Sequence, residues 1–156
     1  MDPRLARFPA YIDAGQAGVP ALARREDRCA VLGPPHGARA LLTVDDGNVA
    51  VFERAPPDVP SPRLVAVYAD ASGAIAVPTG RVFVRFLEAV RADGERARLR
   101  DAGFDVVEIP AYAPHCAWVE AADHDPATAL VRISALRALA GVAHVEPQLV
   151  RPRAMK

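Results

Sequence analysis

The alternation of apolar and polar residues is clearest in the second half of the chain. In Arg81-Val82-Phe83-Val84-Arg85-Phe86, Val82, Val84 and Phe86 fall on one face and Arg81 and Arg85 on the other, the period-two pattern of a half-buried strand. Asp93 is placed to cap a helix running to about Ala102, with Leu99 on its buried side, and Gly103 suits the left-handed residue that ends it. Phe104 to Ile109 reads as a strand closed by Pro110, and Cys116 to Ala121 as another, holding Trp118 and Val119. Asp125 followed by Pro126 is a helix start, an N-cap with proline at the first helical position. Leu130, Ile133, Leu136 and Ala140 form that helix's apolar stripe, and Gly141 stops it. Val142 to Val145 is the last strand, with Pro147 expected to end it.

The order from Arg81 is β-α-β-β-α-β. It predicts an α+β fold: a ferredoxin-like βαββαβ antiparallel sheet with two helices on one face. β-Hairpins are expected before it. Leu41 to Val44 and Val49 to Phe52 flank an Asp-Asp-Gly-Asn turn, and Leu64 to Tyr68 and Ala74 to Val77 flank Asp70-Ala71-Ser72-Gly73. Between the hairpins, the prolines of Ala55 to Pro62 mark a connector. Residues 1–38, broken by Pro9, Gly15, Gly18 and Pro20, read as an irregular leader. The expected organisation is a leader and hairpin region (1–62), a compact domain (63–147) and a tail (148–156).

Composition narrows the function classes. Lys plus Arg and Asp plus Glu both number 19, so the net charge is zero, which argues against a nucleic-acid binder. An RNA-recognition domain would need aromatic residues with basic neighbours on both central strands. Phe83 and Phe86 supply the first strand, but no Gly-Phe-aromatic run supplies the other. Fifteen prolines, about twice the usual share of roughly 5%, fit short elements joined by turns. Two cysteines make no disulfide framework. No apolar run approaches the ~18 residues of a membrane span, and Met1 to Asp27 lacks a signal peptide's apolar core. A cytoplasmic location is expected as written, or a secreted one if an export signal was removed.

Catalytic and metal readings are weak in the sequence. Adjacent strand residues point to opposite faces, so His115 and Cys116 would not meet as a dyad. His115, Cys116, Asp123, His124 and Asp125 lack metal-ligand spacing, and Asp125 is better used as a cap. His36 lies in a Gly-Pro-Pro-His-Gly loop, and Asp45, Asp46 and Glu53 read as a solvated hairpin end. A small hydrolase using Cys116 is a distant third reading. No cofactor is expected.

One resemblance gives a sharper expectation. Pro78-Thr79-Gly80-Arg81-Val82-Phe83-Val84-Arg85-Phe86, Ala102-Gly103-Phe104-Asp105-Val106-Val107, Tyr112-Ala113-Pro114, Trp118-Val119 and Leu139-Ala140-Gly141-Val142-Ala143-His144-Val145-Glu146-Pro147 occur in order. Together they resemble the prodomains of subtilisin-like serine proteases, over roughly residues 64–150. The resemblance implies a non-enzymatic protein that inhibits such a protease, and chaperones its folding, in cis or in trans. The sheet face opposite the helices would rest on the enzyme, and the tail from Gln148 to Lys156 would lie in the active-site cleft. The implied protease-binding residues are Glu146, Pro147, Arg153, Ala154, Met155 and Lys156, with Lys156 nearest the cleaved bond. The tail departs from the usual pattern in carrying Pro152 and in being basic. The alternative expectation is a cytoplasmic ferredoxin-like regulatory or scaffolding module that self-associates, a homodimer formed through exposed edge strands.

Overall fold

In the computed structural model, the described residues are 2–15, 18–33, 40–44 and 48–152. Among them are nine strands and two α-helices. The strands are β1 (Tyr11–Ile12), β2 (Leu22–Leu32), β3 (Leu42–Val44), β4 (Val49–Phe52), β5 (Leu64–Ala69), β6 (Ile75–Phe86), β7 (Phe104–Glu108), β8 (Cys116–Ala121) and β9 (Val142–Val150). The helices are α1 (Arg96–Asp101) and α2 (Pro126–Arg137). The strand order is β3-β4-β2-β5-β6-β8-β7, with β1 on β2 and β9 on β6.

This corrects the expected fold. The chain is a mostly antiparallel nine-stranded sheet with two short helices, not a ferredoxin-like βαββαβ sheet preceded by separate hairpins. The reason lies in β6. The two strands expected at Ala74 to Val77 and Arg81 to Phe86 are one twelve-residue strand, continuous through Pro78-Thr79-Gly80. Its first half pairs with β5 (Tyr68 with Ala76) and its second with β8 (Phe83 with Trp118). The first helix is also shorter than expected. Asp93 does not cap it but pairs with Arg96 at 2.8 Å inside a 3-10 turn, Ala92–Glu95, and α1 has only six residues.

By contacts the chain divides into two units. The first comprises Met1–Asp13, Val19–Thr79 and Leu149–Lys156, the second Ala14–Gly18 and Gly80–Gln148. In the first unit β2 is the hub, pairing with β1, β4 and β5. All six residues of β5 are buried, as a central strand covered on both faces requires, so its sequence reads as an unbroken apolar run. β2 jumps register against β5 between Arg25 and Cys29, looping Glu26, Asp27 and Arg28 out of that ladder. Inside the loop the Arg25 guanidinium lies 2.8 Å from Asp27, and its hydrogen bond holds that carboxyl down at about 2.

The expected irregular leader is an integral part of this unit. Leu5, Phe8 and Ile12 are buried. Side chains from distant elements tie its backbone in place: Arg24 Nη1 donates to the Phe8 carbonyl at 2.6 Å and the Tyr68 hydroxyl to that of Pro9 at 2.7 Å. Arg4 and Arg7 reach the other way, to the carbonyls of Val59 and Ser61.

In the second unit, Val82, Val84 and Phe86 of β6 pack with Leu99, Phe104, Ala117, Val119, Leu136 and Val145 in one core. Asp125 caps α2 as its sequence implies, its Oδ1 accepting from the Ala127 amide at 2.9 Å. Gly80 has φ +93, and a Cβ there would lie 3.1 Å from the Pro126 ring, so that point of β6 accepts only glycine without strain. Pro147 does not end the last strand. It lies buried within β9, which continues to Val150. A strand tolerates proline where the ring nitrogen faces away from the ladder. No helix among the described residues is long and apolar enough to cross a membrane.

Candidate functional site

The outward face of the second unit's sheet follows from alternation. Because Val82, Val84 and Phe86 point into the core, Arg81, Phe83 and Arg85 point away from it. On β8 the buried residues are Ala117, Val119 and Ala121, which turns Trp118 and Glu120 to the same outward side. The register sets Phe83 opposite Trp118 and Arg81 opposite Glu120. The two rings lie 5.1 Å apart, centroid to centroid, with their planes tilted by 58°, a favourable aromatic packing geometry.

Charged groups surround this pair. On β7 Asp105 stands opposite Glu120, and an irregularity between Val106 and Glu108 brings Glu108 opposite Trp118. Each carboxylate of the Asp105–Glu120 pair has its own cation or imidazole. Arg100 lies 3.2 Å from Asp105, and His124 Nδ1 lies 2.9 Å from Glu120. On β9 Val145 is in the core, so His144 and Glu146 share the outward side, their side chains 3.2 Å apart. Arg85 is exposed. The result is a half-buried aromatic centre with a rim of mixed charge.

Of the residues expected to bind a protease, Glu146 lies on this face and is half-buried, while Pro147 is buried in β9. Arg153, Ala154, Met155 and Lys156 lie outside the described residues, as do His36, Asp45 and Asp46. The Phe83–Trp118 pair was not singled out by sequence reasoning. Its signal was present: Phe83 shares parity with Arg81 and Arg85, and Trp118 sits between two small or branched apolar residues.

Other candidates resolve into structural roles. His115 precedes β8 and Cys116 is its buried first residue, with burial pushing its thiol pKa up and Arg85 pulling it down less. Asp123 accepts from the Asp125 amide at 3.0 Å and from the Thr128 hydroxyl at 2.7 Å, and Asp125 caps α2. Among the described residues no group of three or more His, Cys, Asp or Glu side chains could hold a metal ion. In the first unit a cleft of about 370 Å3 opens beside the β2 loop, lined by Asp2, Glu26, Arg28, Cys29, Glu53 and Arg54 among others. Several of its charges are satisfied internally: Asp2 by Arg4 at 2.9 Å, Arg28 by Asp27 at 3.2 Å. At Cys29 burial raises the thiol to about 11, which removes the thiolate a nucleophile needs.

No known family model, curated protein or solved structure matches the chain.

Proposed function

We propose that this chain is a non-catalytic docking protein of the prodomain kind. It binds a subtilisin-like serine protease through the outward face of the second unit and inhibits it by presenting its C-terminal residues to the active-site cleft. The observation that carries this reading is the Phe83–Trp118 pair, set side by side on adjacent strands within a charged rim. A desolvated aromatic centre ringed by polar groups is the anatomy of a protein–protein hot spot. The ordered motifs from Pro78 to Pro147 supply the identity of the partner by resemblance. Because β9 runs to Val150, the part of the tail available to a cleft starts at Arg151.

The test is inhibition of purified subtilisin-like endopeptidases on a chromogenic peptide, with folding followed by circular dichroism. Trp118→Ala is expected to raise the inhibition constant about 30-fold, the effect of a ~2 kcal/mol hot spot. Deleting residues 151–156 is expected to weaken inhibition without lowering the unfolding midpoint. Absence of inhibition by the folded wild-type protein, or equal inhibition by both variants, refutes the reading.

A second reading, self-association, draws on β3. It is the terminal strand of the sheet order, and Leu42 on it and Leu41 just before it are 38% and 50% exposed. Such an edge invites pairing with another chain. A stable dimer by light scattering, together with no capture of protease, favours it.

A further inference from the structure

One contact on the candidate face is made by the chain itself. Ala14–Gly18 groups with the second unit, although the residues before and after it group with the first. Gly15 has φ +87, and a Cβ built on it would lie 2.5 Å from the Cβ of Glu146 and 3.0 Å from the Val145 carbonyl oxygen. Real Cβ atoms do not come that close. Only a residue with no side chain, in a backbone conformation that other residues rarely adopt, can lie against β9 at this point. Glu146 points outward with His144, and it is half-buried.

We infer that the segment at Gly15 is an intrachain cover on β9, which a docking partner must displace to reach Glu146. The inference rests on the docking reading above and adds a regulation to it. The free protein exists as covered and uncovered forms, and only the uncovered form offers the whole face. Apparent affinity is then reduced by the fraction uncovered, and any change that lifts the cover removes that reduction.

Gly15→Ala and Gly15→Val test this, the second being the stronger perturbation and the first the safer for folding. Hydrogen exchange of the free protein needs no partner. Exchange across residues 142–150 is expected to accelerate in both variants, more in Gly15→Val, while β6 and β8 keep wild-type protection. Unchanged exchange at 142–150 overturns the cover. The same proteins are then titrated against the endopeptidases used above. A lowering of the inhibition constant by about threefold or more is expected, its size measuring how far the covered form is favoured. Faster exchange with an unchanged inhibition constant overturns the competition but leaves the docking reading standing. Failure of wild type and both variants to inhibit overturns the docking reading, and the competition with it.

Discussion

Tyr68→Phe removes a single oxygen from the centre of the first unit, and its consequence can be worked out for two pH regimes. Tyr68 is fully buried on β5, and its hydroxyl donates to the Pro9 carbonyl at 2.7 Å. At pH 7 the variant loses one hydrogen bond. The net cost is about 1 kcal/mol, because the half-buried carbonyl left behind keeps some access to water. For a unit of this size that lowers the melting midpoint by roughly 4–8 °C. At high pH the sign reverses. Burial holds the Tyr68 phenol well above its ordinary value of 10.0. Its neutral form therefore stabilises the fold fully below pH 10, and that stability is lost as pH rises beyond it, by about 1.4 kcal/mol per unit. The phenylalanine variant has no such group. Urea unfolding of both proteins, followed by far-ultraviolet circular dichroism from pH 7 to 11.5, should show wild type ahead at neutral pH and the two curves crossing near pH 11. Equal stability at pH 7, or a difference that stays constant to pH 11.5, refutes the argument that the leader is locked to β5 through a buried phenol.

Two further outcomes follow from the geometry. The Cys29 thiol, raised by burial from an ordinary 9.0 to about 11, stabilises the fold below pH 9, and about 3 kcal/mol of that is lost as pH rises from 9 to 11. Cys29→Ala should flatten this part of the stability curve, and in the native wild-type protein an aromatic disulfide reagent should modify Cys29 far more slowly than after denaturation. Gly80→Ala puts a Cβ 3.1 Å from the Pro126 ring at a φ of +93 and is expected to destabilise the second unit by at least about 1 kcal/mol. The fluorescence of Trp118 reports that transition, and an unmoved midpoint would show that β6 relaxes there at no cost.

What could be read from the chain alone was whatever depends on near neighbours. The alternation of Arg81 to Phe86 and the Asp125-Pro126 start of α2 appear in the structure where the residues place them, because side-chain parity and capping are set within a few residues. The same alternation implied an outward Phe83, but that Trp118 lies beside it depended on the β6–β8 register, a pairing across more than thirty residues. Tertiary contacts decided the rest. The leader looked irregular because its prolines and glycines deny it local regularity; it is ordered by hydrogen bonds from Arg24 and Tyr68, whose targets no local pattern names. Pro147 stops a strand only where the missing N–H is needed, and that depends on which side of β9 has a neighbour. The largest error came from β6. Pro78-Thr79-Gly80 reads as a break between two strands, yet a glycine at positive φ lets the chain stay extended, and pairing with β5 and β8 along its length makes it one strand. Backbone hydrogen bonds between distant segments thus settled the extent of the sheet, since a strand's ends are set by its partners as much as by its own residues.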